Sequence, residues 1–443
     1  MKPFIVVQGP VATRSGYGNH TRDLITSLIK ADKYDILIVS LPWGSCPSDA
    51  LKPENPEHLE IIKRIARENI RKKPDVFIQI SVPNEFQPMG QYNIGITAGI
   101  ETDTVSPEFL EGCNRMNLIL TTSEHSKEGF MNCQYDTMDK ETKQKTGELK
   151  LTTAIDVLFE GADLNVYKKI SPTDIHESIT ETMSTIKDQF CYLFVGHWLK
   201  GDIGQDRKDI GMLIKTFAET FKNKAKHNRP ALILKTSSAT FSIMDREQIT
   251  SRIQQILEPY GIKAPNVYLL HGDLTDQEMN SLYNHPKIKS MISFTKGEGF
   301  GRPLLEFSLT GKPVIASDWS GHKDFLQHSI MLPGQLTNVH PSAADKFLLK
   351  EAKWFTVNYQ YASAVLKEVT ENYKNKIPSA RKQATFSKKE FNLDKMAELF
   401  CTHVDKGLEN VPQQVSLKLP KLKKLGNKEP NKVKLPKLKK VEV

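Results

Sequence analysis

Cysteine is sparse and unpatterned in this chain of 443 residues. The five present (Cys46, Cys113, Cys133, Cys191 and Cys401) form no Cys-x-x-Cys pair and no metal-binding spacing. A disulfide scaffold and a zinc module are therefore excluded, and reduced thiols in the cytoplasm are the expectation. No apolar run approaches the roughly 18 residues that a membrane span needs. The sequence begins on the strand-like Phe4-Ile5-Val6-Val7 without a secretory leader pattern, which again points to the cytoplasm. No Gly-Lys-Ser/Thr follows the first glycine turn, and no Asp-x-Asp occurs anywhere. The first absence excludes a phosphate-binding P-loop, and the second the simplest carboxylate clasp for a cation on a diphosphate.

What is present is enough for two cores: the length exceeds one ordinary domain, and 39% of residues are hydrophobic. The net charge of +9 is localised. From Val415 to Val443 there are ten lysines and two glutamates, a net of +8, so the remaining body is close to neutral. The basic stretch holds a repeat: Leu417-Lys418-Leu419-Pro420-Lys421-Leu422-Lys423-Lys424-Leu425 returns as Val433 to Val441 with Leu-Pro-Lys-Leu-Lys-Lys intact. Each copy has a central proline and no aromatic, so neither packs a core, and a disordered tail is expected. Such a tail is either a solvated, solubilising segment or a linear motif for an anionic partner: nucleic acid such as DNA, an acidic protein groove or a membrane surface. Two near-identical copies favour the motif.

The rest alternates strand-like and helix-like segments. Strands are expected at Phe4–Gln8, Tyr34–Ser40, Asp75–Ile80, Ile94–Ala98 and Leu118–Thr121. Helices fall between them at Gly18–Ala31, Pro56–Asn69, Pro107–Met116 and Ser123–Asn132. A second series starts near Phe190–Gly196. It continues through helix Lys208–Phe221, strand Ala231–Lys235, helix Arg246–Ile256, strand Val267–Leu270 and helix Asp276–Tyr283, and an amphipathic helix over Lys388–Leu408 closes it. Such alternation implies parallel sheets covered on both faces, hence an α/β fold, with ligands beyond the carboxyl ends of the strands.

The densest chemistry lies in Gly297-Glu298-Gly299-Phe300-Gly301-Arg302-Pro303-Leu304-Leu305-Glu306. Strand-like Met291–Phe294 precedes it, and an apolar helical run ending at Gly311-Lys312-Pro313 follows, then strand Val314–Ser317. Two carboxylates thus sit at the mouth of a helix in one βαβ unit. They can accept hydrogen bonds from sugar hydroxyls, while backbone N–H groups there favour an anion. Glu306, among Leu304, Leu305, Phe307 and Leu309, is costly on an apolar surface unless paired.

These residues, with Gly-Lys-Pro-Val-Ile-Ala-Ser-Asp after them, resemble the paired-glutamate signature of retaining glycosyltransferases of the GT-B fold, family 4, including the viral and phage type. The resemblance covers roughly Phe4 to Leu408. It implies two Rossmann-like domains with the active site in the cleft between them. The first would span residues 1–170 on the acceptor side, and the second, residues 187–385, would hold the nucleotide sugar. A linker is expected around Tyr167–Ile186, a helix at 386–410 packing back on the first domain, and the lysine-rich tail at 411–443. The resemblance makes Glu298 the contact to the donor sugar and Glu306 the contact to the ribose hydroxyls. Gly299, Phe300 and Gly301 belong to the donor site.

Other segments match the same family. After Phe194-Val195-Gly196 the family has an arginine, where this chain has His197, and then a lysine. Arg207-Lys208 fits the lysine place. Two cations at a helix start oppose its dipole, so a bound anion would explain them. Lys208, helped by Arg207, is expected to stabilise charge on the departing diphosphate. Lys235 is a second-rank candidate. The loop Gly9–Gly18 would face the cleft through Gly16 and Gly18, with Arg14 a phosphate contact or a solvated arginine. Glu101, after the Ile94–Ala98 strand, is expected to touch the sugar or the acceptor hydroxyl. Ser123 reads as a helix cap, His125 as structural, and Asp324 as a cap or a partner of a cation. The implied function is transfer of a sugar from a nucleotide diphosphate donor to a hydroxyl on a glycan, a lipid-linked glycan or a modified DNA base. No metal and no further cofactor are expected. A sugar-nucleotide epimerase or phosphorylase on the same fold, and a non-catalytic binding module acting through the tail, are the alternatives.

Overall fold

The computed structural model describes residues 2–411 except 69, 71, 140, 239 and 240. The repeats at 417–425 and 433–441 lie outside the described residues. The first half runs β1 (Phe4–Gly9), α1 (Gly16–Ala31), β2 (Asp35–Ser40), α2 (Pro56–Ile62), β3 (Val76–Ile80), β4 (Tyr92–Thr97), α3 (Pro107–Cys113), β5 (Leu118–Thr121) and α4 (Glu124–Asn132). A hairpin, β6 (Gln134–Met138) and β7 (Lys145–Lys150), precedes β8 (Ala154–Val157). The second half holds α5 (Glu177–Ser184), β9 (Cys191–Val195), α6 (Ile210–Phe221), β10 (Ala231–Lys235), α7 (Ile243–Leu257), β11 (Val267–Leu270), α8 (Asp276–Asn284), β12 (Ile288–Ile292) and α9 (Arg302–Ser308). It continues with β13 (Val314–Ser317), β14 (Ile330–Leu332), the hairpin β15 (Gly334–Asn338) and β16 (Lys353–Val357), then α10 (Tyr359–Glu371), α11 (Tyr373–Glu390) and α12 (Leu393–Glu409).

Two six-stranded sheets result, ordered β2-β1-β3-β4-β5-β8 and β11-β10-β9-β12-β13-β14, with every pairing parallel. The inner strands β1, β9, β10 and β13 are largely apolar runs, as a sheet buried on both faces requires. Strand order reverses beside β1 in one sheet and beside β9 in the other, so each has a switch point where a ligand crevice opens at the carboxyl ends. Helix starts are set locally. Ser15 accepts the Gly18 N–H on α1, and Thr275 with Glu278 forms a reciprocal capping box on α8.

Of the boundaries that differ from expectation, three matter for the architecture. The helix expected over Pro56–Asn69 ends at Ile62, because the next residues pair with β2 instead: Ile38 N–H donates to Arg64, and Ala66 N–H donates to Ile38. The closing helix expected over Lys388–Leu408 is two helices. The break falls at Phe391-Asn392, where the Asn392 side chain caps α12 by accepting the Lys395 N–H at 2.8 Å. The segment expected as a linker contains α5. Its Tyr167, Ile179, Met183 and Ile186 are buried with Leu193, Ile233 and Phe307 in a core of the second half. By contrast, α12 returns to the first half, where Met396, Phe400 and Val404 are buried with Ile5, Leu24 and Ile96.

Candidate active site

The loop between β9 and α6 and the turn between β12 and α9 meet at Glu298. Lys208 Nζ donates to the Glu298 carboxylate, and Arg207 Nη1 lies 3.4 Å from its other oxygen. The same Arg207 nitrogen donates to the Gly297 carbonyl at 3.1 Å and lies 3.6 Å from Glu101. Backbone bonds hold Glu298 in place: its N–H donates to Ser320 Oγ at 2.9 Å, and its carbonyl accepts the Gly321 N–H at 3.0 Å. Burial alone would raise the pKa of this carboxyl. The charges of Lys208 and Arg207 and the Lys208 hydrogen bond outweigh burial and hold it down at about 2. Glu298 is therefore an anion at neutral pH.

The two cations precede the first turn of α6, which starts at Ile210 with Asp209 as its N-cap. Their charge is met by Glu298 and Glu101.

Glu306 is buried in α9. It accepts from Arg302 Nε at 2.9 Å and from the Tyr283 hydroxyl at 3.3 Å. Burial raises its carboxyl to about 7, against the pull of Arg302. Arg302 also donates to Asp23 of α1 at 2.7 Å, so one guanidinium ties a carboxylate in each half. Glu160, buried close by, is likewise raised to about 7 by burial, again against Arg302.

The glycine turn lies flat against the first half. A Cβ on Gly299 would run into the Ala98 carbonyl oxygen, and one on Gly297 into that of Glu101. These glycines permit close approach of two backbones. Asp324 crosses the seam as well, its carboxylate accepting the Glu124 N–H of α4 at 2.9 Å. Asp103 and Lys353 exchange a bond in each direction: the Asp103 N–H donates to the Lys353 carbonyl at 2.9 Å, and the Lys353 N–H donates to the Asp103 carboxylate at 2.7 Å. Arg14 ion-pairs with Asp49 at 2.8 Å and with Asp273 of the second half.

Thus Glu298, Lys208, Arg207, Glu101, Gly299 and the backbone of Gly297 converge, with Glu101 still 40% exposed. Glu306 sits behind them, bound to Arg302. Phe300 turns the other way: its ring is buried against Phe325, with centroids 4.9 Å apart, so only its backbone is available to a ligand. Gly301 adopts φ 99° as the N-cap of α9, a conformation that favours glycine. Gly18 is packed against Thr13 of its own loop, whereas Gly16 faces open space. Lys235 is spent on the Gly272 carbonyl at 2.6 Å, and burial lowers it to about 8. His197 contacts Ser237 at 3.2 Å, and His125 packs edge-on to Trp319.

Sequence reading assigned no role to Arg302, Asp23 or Glu160. One signal was available: an arginine at a helix start, adverse to the dipole, demands a carboxylate from elsewhere. Among the described residues, no group of three or more His, Cys, Asp or Glu side chains is placed to hold a metal ion, and no helix is long and apolar enough to cross a membrane.

Two parallel sheets facing one seam is also the architecture of several solved proteins. Sucrose-phosphate synthase from Thermosynechococcus elongatus superposes with a TM-score of 0.62 at 12% identity, covering 91% of this chain and 98% of that one. The chain has the GT-B fold. Anabaena HepE in complex with UDP-glucose shares this GT-B arrangement at TM-score 0.57 and 14% identity, over 91% of this chain and 100% of its own. A glycosyltransferase from Rickettsia africae does so at TM-score 0.57 and 13% identity, over 92% and 99%. No protein-family pattern and no curated protein matches the sequence.

Proposed function

We propose that this protein is a retaining glycosyltransferase, family 4-like and independent of metal, that moves a hexose from a nucleotide diphosphate donor to a hydroxyl acceptor. The observation that carries this reading is the convergence of Lys208 and Arg207 on the ionised Glu298 at the seam of a GT-B fold. In this reading the second half, residues 187–385, holds the donor, and the first half, residues 1–170, presents the acceptor. Glu298 accepts hydrogen bonds from the donor sugar, and Glu306 holds the ribose hydroxyls. Lys208 and Arg207 stabilise the negative charge that grows on the departing diphosphate as the glycosidic bond breaks. Gly299 and Gly301 offer backbone groups to the donor, and Glu101 lies on the acceptor side of the same cluster. UDP-glucose is the first donor to try, because fold relatives are complexed with UDP or UDP-glucose. The lysine-rich tail would bring the enzyme to an anionic partner in the cytoplasm.

The test is a thermal-shift screen of the full chain against UDP-, GDP- and ADP-sugars, repeated on Glu306→Ala. Stabilisation by one nucleotide class, lost in the variant, supports the reading. A variant with wild-type stabilisation and turnover overturns the ribose assignment. Phosphate-dependent glycan cleavage or epimerised free donor would replace transfer by the phosphorylase or epimerase alternative.

A further inference from the structure

Behind the cluster lies an ion pair that no substrate would touch. Lys296 and Asp209 have side chains only 2% and 0% exposed, with Nζ 3.5 Å from Oδ2. Lys296 Nζ also donates to Thr356 Oγ1 at 2.9 Å and lies over the Trp354 ring. Asp209 Oδ2 accepts from the Tyr359 hydroxyl at 2.7 Å. The backbone adds two bonds here, Lys296 N–H to the Arg207 carbonyl and Phe355 N–H to the Lys296 carbonyl, both 2.8 Å.

A buried ion pair gives up solvation that apolar side chains of the same volume would not, so stability alone does not account for one. Position does. Asp209 directly follows Lys208, and Lys296 stands two residues before Glu298. Asp209 is also held at φ 52°, in the left-handed region sparsely used by residues other than glycine. The pair joins the two peptides whose side chains meet as Lys208 and Glu298. Through Phe355 and Lys353 of β16 it is continuous with Asp103, two residues from Glu101.

We propose that Lys296 and Asp209 are positioning residues: their buried pair fixes the loop carrying Arg207 and Lys208 against the turn carrying Glu298, and so sets the reach of both cations to the donor diphosphate. This rests on the site assignment above.

The test uses the full chain and release of UDP from UDP-glucose, with water as acceptor. Asp209→Asn keeps a side chain tolerant of positive φ and an acceptor for Tyr359, but removes the charge. It is expected to lower kcat by about 30-fold while KM changes by less than about 3-fold, because an interaction made in the transition state is lost. In a Glu298→Gln background, where Lys208 and Arg207 have already lost the charged carboxylate that holds them against the turn, the same substitution is expected to change turnover by less than about 3-fold, since residues acting as a unit are not additive. Tyr359→Phe, lacking one hydroxyl, makes the same comparison if Asp209→Asn does not fold. Wild-type turnover in Asp209→Asn or Tyr359→Phe, or a loss that multiplies in full with Glu298→Gln, overturns the proposal and leaves the pair as a strut. No turnover by the unaltered protein of any of the UDP-, GDP- and ADP-sugars screened above, or an unaffected Glu298→Gln, overturns the site assignment and this proposal with it.

Discussion

Gly299 stands directly against the carbonyl of Ala98, with no room between the two halves for a methyl group. Neither partner can yield, because both contacting groups are backbone. Gly299→Ala is expected to lower turnover of UDP-glucose by about 100-fold, the cost of a misplacement near 1 Å. Nucleotide affinity, which the second half supplies by itself in our reading, should change by less than about 3-fold. Paired kinetics and calorimetry check this, and equal losses in both would place the contact inside the nucleotide site.

Glu298→Gln preserves shape and removes the charge that Lys208 and Arg207 share. A loss of about 100- to 1,000-fold in kcat is expected, comparable to removing one preorganised charge-stabilising group. Because Glu298 titrates at about 2, no acid limb of the wild-type rate profile above pH 4 should disappear in the variant. Rate profiles from pH 4 to 9 compare the two.

Glu160 offers a test in which pH sets the sign. Burial raises its folded-state pKa from 4.5 to about 7, so between those values the folded protein binds more protons than the unfolded one. Stability contributed by the protonated form is complete below pH 4.5 and declines as pH rises towards 7. Glu160→Gln, a neutral mimic of the acid, should therefore stabilise by about 1–3 kcal/mol at pH 7.5 and by nearly nothing at pH 4.5. Urea unfolding at the two values measures it.

Deleting 412–443 removes the repeats and nearly all of the net charge. Melting temperature and UDP-glucose turnover are expected to stay unchanged. If the tail binds nucleic acid, the full-length protein should show log K falling with log salt by about 0.7–0.9 per phosphate contacted, and the deletion should abolish that slope. Fluorescence titration against a short duplex and a single strand reads this, and salt-independent binding would exclude the electrostatic role.

What could be read in advance was local. Glu298, Glu306 and their glycines lie within ten residues, and the alternation of apolar runs with amphipathic ones outlined both sheets. Lys208 was legible because it follows a recognisable strand end. The short edge strands β8 and β14 carry too few residues to show a period, and polar α11 presents no clear apolar face. The seam itself stayed hidden. Arg302 and Asp23 are 279 positions apart, Asp324 and Glu124 200, and Lys353 and Asp103 250. Arg302 also finds Glu306 within its own helix, but these three long-range contacts form only when one half closes on the other.

The return of α12 to the first half bears on how the chain is made. Phe400 and Val404 complete a hydrophobic core begun by Ile5 and Leu24, so that core stays open on the ribosome until nearly the whole body has emerged. The second half, contiguous from Tyr167 to Glu390 apart from its seam contacts, can close first. A ribosome stalled before residue 393 would hold an N-terminal half with its α1 face bare, a natural substrate for chaperones. The last helix among the described residues is then the one that commits the first.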